Sequence, residues 1–253
     1  MLIGLLQCDH VSQEHRHITH GDYDEVYRRM LEGGAARRLA APIVRLRTYA
    51  VIDGAIPKSP SECDGWLISS SQFDAISSID WAARLRRFIL ATLERAIPIA
   101  GICFGHQLIS FALGGRVARR STWVVGVQEL RFLDNPWIPA RTLKLLGIHR
   151  DEVIDPPPGA VVIASTDAVR VAALVVPPCA LGIQYHMELT PQYINALLDQ
   201  RKLLSPENAP NVLMSRLDEP TDRELASELL ISFYLSSLDR NSNVSTLQST
   251  PAP

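Results

Sequence analysis

The stretch Ile97-Pro98-Ile99-Ala100-Gly101-Ile102-Cys103-Phe104-Gly105-His106-Gln107 sets one cysteine between two glycines, where an apolar run gives way to helical spacing. Residues 97–102 read as a strand buried on both faces, and residues 104–113 as the helix that follows it. Such a junction is the layout of a nucleophile elbow, with sulfur in place of the usual serine hydroxyl. A thiolate attacks a carbonyl carbon far better than a thiol does. A cysteine at a helix N-terminus also feels the partial positive charge of unpaired N–H groups, which favours the thiolate. Gly101 and Gly105 remove side chains on both sides of the turn, so the backbone can bend sharply and the helix can lie close to the sheet.

Outward from the elbow, the pattern alternates. Residues 2–8 are a continuous apolar run, residues 23–31 have helical spacing, residues 43–51 and 66–69 read as strands, and residues 81–96 as an amphipathic helix. Alternating strands and helices argue an α/β fold, a parallel sheet covered on both faces. Ligands of such sheets bind at the carboxyl ends of the strands, where Cys103 falls. From 117 to 176 the runs become short, β-rich and broken by Pro and Gly, which predicts a β-hairpin-rich insert. Residues 180–185 then read as a strand, and residues 191–203 as a helix capped by Thr190. A last helix is expected over 221–238, with Thr221 and Glu224 in capping-box spacing and apolar residues at 225, 229, 230 and 233. The organisation this predicts is a catalytic domain over 1–204, a helical extension over 205–240 packed on it, and a disordered tail over 241–253, which is polar and Ser-rich.

A cysteine nucleophile needs a base and a group that orients the base. Leu181-Gly182-Ile183-Gln184-Tyr185-His186-Met187-Glu188 supplies both. Residues two apart in an extended chain point to one side, so Glu188 is placed to orient His186. The acid follows the base in the chain, whereas in the serine hydrolases built on the same elbow it precedes the histidine.

With both halves in view, G-I-C-F-G-H-Q followed by G-I-Q-Y-H-M-E resembles the class I (triad) glutamine amidotransferases, whose second motif usually reads G-V-Q-F-H-P-E. The free-standing GMP-synthase-like branch is the nearest in pattern. Cys63-Asp64-Gly65-Trp66-Leu67-Ile68, Val125-Gly126-Val127 and His149-Arg150-Asp151-Glu152-Val153 also fit it, so the resemblance spans about residues 1–200. It implies a three-layer, flavodoxin-like parallel-sheet fold and hydrolysis of a γ-glutamyl amide through a γ-glutamyl thioester, with no cofactor. Carried onto matching positions, Cys103 is the nucleophile, His186 the base and then the acid, and Glu188 the orienting carboxylate. The oxyanion is expected to meet the N–H of Phe104 and an N–H from the loop after the third strand, at Ser70 or Ser71. Gln107 matches a position that seats the glutamyl substrate. Two departures stand out. The branch usually has T-G-S where this chain has Ser69-Ser70-Ser71, and a non-glycine residue resists positive φ and narrows the pocket facing the sulfur. Met187 replaces the usual proline between base and acid.

Composition fits an enzyme of this size. A chain of 253 residues, 47% apolar, has material for one large core. A net charge of −2 gives no sign of a nucleic-acid partner, and Arg84-Leu85-Arg86-Arg87 reads as the solvated face of a helix. No run approaches the ~18 apolar residues of a membrane span, and no basic lead precedes the first strand, so no membrane association and a cytoplasmic location are expected. Four cysteines without C-x-x-C spacing read as reduced thiols. His10, His15, His17 and His20 crowd the loop after the first strand but match no zinc spacing, so a solvated or substrate-lining loop is the reading there. His106 and His149 are assigned to packing.

Three functions remain open at this level. One is a free-standing hydrolase of a γ-glutamyl amine or peptide, motivated by the lack of a synthetase domain after the glutaminase part. Another is a glutaminase subunit that passes ammonia from glutamine to a separate synthetase. The third is a catalytically silent binding or regulatory protein.

Overall fold

A computed structural model describes residues 1–38, 43–133 and 142–248. The parallel half of the sheet is built from β1 (Leu2–Gln7), β2 (Arg45–Ala50), β3 (Gly65–Ile68), β4 (Ile99–Ile102) and β9 (Ala180–Ile183). Their order across the sheet is β2-β1-β3-β4-β9, every neighbour parallel. This is the flavodoxin-like winding, and its switch point lies at β1 and β3.

The helices between these strands are the four-residue α1 (Arg16–Thr19), then α2 (Tyr23–Ala36), α3 (Asp80–Glu94) and α4 (Phe104–Ala112). After β9 come α5 (Pro191–Gln200) and α6 (Arg223–Gln248). Alternation along each strand sorts the apolar side chains into two cores. Ile3, Leu5, Leu67, Ala100, Ile102, Leu181 and Ile183 face α2, α5 and α6. Leu6, Trp66, Ile68, Ile99 and Ala180 face α3 and α4. Strands buried on both faces need apolar residues at every position, which is why β1, β3 and β4 read as unbroken runs. Each fully buried Leu or Ile contributes about 1.5–3 kcal/mol. The edge strand β2 turns Arg45 and Arg47 to solvent, a charged edge that discourages further pairing.

Residues 117–176 depart from this pattern as the sequence expects. β5 (Arg116–Phe132), β6 (Thr142–Asp155), β7 (Val161–Ser165) and β8 (Ala173–Val176) are antiparallel to one another and extend the sheet beyond β9. A short β10 (Val212–Met214) pairs with β5 from the far side.

Several boundaries differ from expectation. The strand expected to run to 185 stops at Ile183, because the chain then turns to bond β6, His186 N–H donating to Leu146 O at 2.8 Å. Thr190 caps α5 through its side chain and Pro191 follows, as read from sequence. α6 starts at Arg223, so the residue flanking it is Asp222, whose carboxylate reaches across to accept from Lys144 N–H at 2.7 Å. The helix also continues to Gln248, past 241 where the tail was expected to begin; residues 249–253 lie outside the described residues. With no Gly or Pro in that stretch, propagating a nucleated helix costs little per residue. Among the described residues no helix is long and apolar enough to cross a membrane.

Candidate active site

β4 delivers the chain to Cys103, whose φ of 51° and ψ of −100° lie in a strained region for a residue with a side chain. Strain of this kind costs on the order of 1–3 kcal/mol and persists only where the surroundings impose it. Here they do so through the glycines and two hydrogen bonds. A Cβ on Gly101 would lie 2.3 Å from the carbonyl carbon of Gly105, and one on Gly105 would lie 2.6 Å from Ile68 O. The Cys103 N–H donates to Ile183 O at 2.8 Å, and its carbonyl accepts from Gln107 N–H at 3.1 Å. The thiol therefore sits at the start of α4, 6% exposed, next to the helix's first N–H groups.

His186 and Glu188 lie just past the end of β9. His186 Nδ1 is 2.8 Å from Glu188 Oε1, both side chains are buried, and His186 Nε2 meets no hydrogen-bond partner. Burial alone would push the imidazole down, but the Glu188 carboxylate and the neighbouring Cys103 outweigh it and raise its pKa to about 10. Burial would likewise push the Glu188 carboxyl up, yet His186 and then Ser70 hold it below its ordinary value. Both shifts favour an imidazolium paired with a carboxylate, and Cys103 is among the neighbours that raise the histidine.

Two further groups converge on the carboxylate. Tyr27 Oη donates to Glu188 Oε1 at 3.1 Å, and Ser70 Oγ donates to the same oxygen at 3.0 Å. The Ser70 N–H is in turn given to Tyr27 Oη at 2.8 Å. Burial keeps the Tyr27 phenol well above its ordinary pKa, so it stays a donor. This corrects two expectations about Ser70. Its backbone is not among the positive-φ residues, so the loop does not need the family glycine, and its N–H is engaged by Tyr27 instead of facing the sulfur. Ser71, by contrast, lines the same cavity as Cys103.

That cavity, about 300 Å³, also takes in Gln107, Trp123, His149 and Asp151. Gln107 Nε2 donates to Asp151 O at 2.7 Å and to Gln184 Oε1 at 3.1 Å. Gln184 Nε2 in turn points at Cys103 Sγ, 3.5 Å away. A chain of amides therefore runs from the pocket wall to the nucleophile. His149 lies in the wall, buried and stacked edge-on against Tyr185 at 5.4 Å. Burial, then the charge on His186, lowers its pKa to about 3, so it is neutral. Because a carbonyl only accepts, the 3.2 Å contact between Nδ1 and Asp151 O puts the proton on Nδ1 and leaves Nε2 as an unpartnered acceptor. His149 thus has more than a packing place, unlike His106, which is fully buried away from the cavity with its pKa lowered to about 4 by burial.

The histidine-rich loop does not gather. His10 bridges Asp22 at 2.7 Å and Asp53 at 3.1 Å, His15 stacks on Tyr193, His17 reaches Glu14 O, and His20 lines a separate cavity of about 170 Å³. Among the described residues no group of three or more His, Cys, Asp or Glu side chains is placed to hold a metal ion. Sequence gives no functional signal for Tyr27 or Gln184; Tyr27 shows there only as one position of a helix, whereas Trp123 opens a segment, 123–132, that the sequence assigns to the leaving-group pocket. Cys8 is buried at the end of β1, where burial raises its thiol far above the ordinary range and its hydrogen goes to Leu6 O.

The model of the family described as glutamine amidotransferase class-I matches residues 23–202. Gamma-glutamyl peptidase 5 of Arabidopsis thaliana is 29% identical over 163 residues, covering 60% of this chain and 65% of that protein. One subunit of a glutamine-hydrolyzing GMP synthase from Saccharolobus solfataricus is 36% identical over 100 residues, covering 38% of this chain and 53% of its relative. The chain therefore spans less than two thirds of the length of either relative. A solved glutamine amido transferase from Methylobacillus flagellatus shares the fold, with a TM-score of 0.68 at 18% identity, over 95% of this chain and 94% of that one.

Proposed function

This chain belongs to the class I glutamine amidotransferase family, and we propose that it hydrolyses a γ-glutamyl amide, either a γ-glutamyl amine or peptide or glutamine itself, through a γ-glutamyl thioester on Cys103. The observation that carries this reading is the buried 2.8 Å contact of His186 Nδ1 with Glu188 Oε1, made next to the Cys103 thiol. The Cys103 thiolate attacks the amide carbonyl carbon, and the new C–S bond pushes the carbonyl electrons onto oxygen. The N–H groups of Phe104 and Ser71 receive that oxyanion. His186 then gives its proton to the leaving nitrogen as the C–N bond breaks, and the amine departs. The neutral imidazole next takes a proton from water as the water oxygen bonds to the thioester carbon. The C–S bond then breaks, releasing glutamate and restoring the thiolate. Gln107 and Gln184 hold the acyl side of the site, and His149 Nε2 accepts from a substrate N–H.

The catalytic unit of this reading is residues 1–204, with 205–240 packed against it. Four buried cysteines, none in a disulfide, suit a reducing compartment, which is the basis for placing the reaction in the cytoplasm. Similarity to one part of a GMP synthase supports a second reading, in which ammonia from glutamine passes to a separate synthetase. The assay that separates them offers purified protein glutamine and a panel of γ-glutamyl amines and peptides and measures glutamate. Release from γ-glutamyl amides without a partner supports hydrolysis. Release from glutamine only, rising when a synthetase is added, supports the second reading. No release under either condition sinks both.

A further inference from the structure

We propose that the cavity of about 170 Å³ behind Glu188 is a second binding site, one that takes a small zwitterionic amino acid and slows the triad when filled. The site stands on its own geometry; the effect on rate rests on the hydrolase reading. The cavity lies among α1, α2 and the starts of α5 and α6, and none of its lining residues lines the Cys103 cavity. His20 and Arg29, both exposed, are among its walls, so it opens to solvent. Glu188 lines it too and is 2% exposed. The two carboxylate oxygens are used unequally. Oε1 meets His186, Tyr27 and Ser70 at 2.8, 3.1 and 3.0 Å, whereas Oε2 is buried with no hydrogen-bond partner among the described residues. A buried carboxylate oxygen without a donor calls for one from a ligand.

Two guanidiniums face the same space. Arg29 donates to His20 O at 3.2 Å and to Thr19 O, and Arg223 donates to Glu188 O at 3.4 Å. These acceptors are main-chain carbonyls, so each guanidinium keeps N–H donors for a carboxylate on a ligand. A neighbouring cavity of about 200 Å³ shares both arginines and adds Glu224. The formal charges around the two spaces are therefore Arg29, Arg223, Glu188 and Glu224, with the His186 imidazolium on the far side of Glu188 and the His20 imidazole in the wall. A lone cation would meet two guanidiniums, and a lone anion would meet two carboxylates. A molecule with both signs pairs its ammonium with Oε2 and its carboxylate with the arginines. Ile18, Val26, Leu189 and Tyr193 leave an apolar face for a short side chain. A cavity of ~150 Å³ accommodates a benzene ring, so this one has room for roughly six to eight non-hydrogen atoms, the size of alanine or serine. Both oxygens of Glu188 share one charge, so an ammonium on Oε2 weakens the hold of Oε1 on His186.

The test is calorimetric titration of the full chain with L-alanine, propionate and ethylammonium, which carry both charges, the negative one and the positive one. Alanine should bind saturably, and each single-charge fragment should be weaker by roughly tenfold or more. Arg29→Met and Arg223→Met should each weaken alanine by about tenfold with native circular dichroism. Arg29→Lys should restore part of the affinity, and Trp123→Ala, in the other cavity, should leave it unchanged. No heat with any of the three compounds, a fragment binding as well as alanine, or a loss confined to Trp123→Ala would overturn the site. In turnover, saturating alanine should lower kcat several-fold at constant KM. An unchanged kcat, or a purely competitive effect, would overturn the coupling. Alanine binding without glutamate release from any substrate would remove the hydrolase reading and leave the site standing.

Discussion

The two halves of the sheet do different work. In the proposed mechanism the parallel half, β2-β1-β3-β4-β9, supplies the triad and the two side chains behind it: Cys103 after β4, His186 and Glu188 after β9, Ser70 after β3 and Tyr27 on α2. The antiparallel half supplies the opposite wall, Arg119 and Trp123 on β5 with His149, Arg150 and Asp151 on β6. Parallel strands buried on both faces hold their ends rigidly, whereas a twisted hairpin with one solvated side can change its residues without disturbing the sheet. In the proposed mechanism the chemistry is anchored where the backbone has least freedom, and the facing wall lies where a side chain can change without disturbing the parallel sheet.

The sharpest way to break this division is to change the parallel half at its centre. Cys103→Ala should lower glutamate release by about 10³-fold or more while circular dichroism remains native. Retained activity would mean that the nucleophile lies elsewhere. The next effect is expected behind the triad. Tyr27→Phe and Ser70→Ala each remove one donor from the Glu188 carboxylate, and each should reduce kcat about tenfold with little change in KM. A change confined to KM would assign both residues to substrate binding instead.

The pH profile sharpens the same point. With its pKa raised from 6.5 to about 10, His186 should remain protonated through pH 8 by NMR, and the alkaline limb of kcat/KM should lie near pH 10. The sign for stability follows: the charge on His186 stabilises the fold fully below pH 6.5, and that contribution is lost as pH rises through about 10. An imidazole already neutral at pH 8 would contradict the ion pair.

In the antiparallel half effects should be smaller and of another kind. Trp123→Ala should raise KM for γ-glutamyl peptides several-fold and leave kcat nearly intact, since no atom of the ring touches the reacting bond in this account. Smallest is Tyr234→Phe on α6, which removes the bond to Trp66 O at 2.7 Å. It should cost about 1 kcal/mol in denaturant unfolding and nothing in activity per folded molecule.

The same division decides what could be read in advance. The elbow was legible because its requirements are local: glycines two residues either side of Cys103, and a strand that becomes a helix. His186 and Glu188 were legible because two residues of extended chain suffice to align them. Tyr27 was not, because its contact with Glu188 spans 161 residues and leaves no periodic trace. From sequence Ser70 is a candidate oxyanion donor whose side chain narrows the pocket, whereas its hydroxyl reaches Glu188 across 118 residues, a contact with no local signal. Arg201 and Trp123 meet only once the insert folds back, and the early end of β9 follows from a hydrogen bond to β6 that no local signal announces.

The most direct test of the central claim is intact-protein mass spectrometry of the native chain quenched in acid during turnover of a γ-glutamyl substrate. A thioester mechanism predicts a mass gain of one γ-glutamyl group, mapped to Cys103 after digestion and lost in alkaline hydroxylamine. Glutamate release with no adduct on Cys103, or with an adduct on another residue, would contradict it.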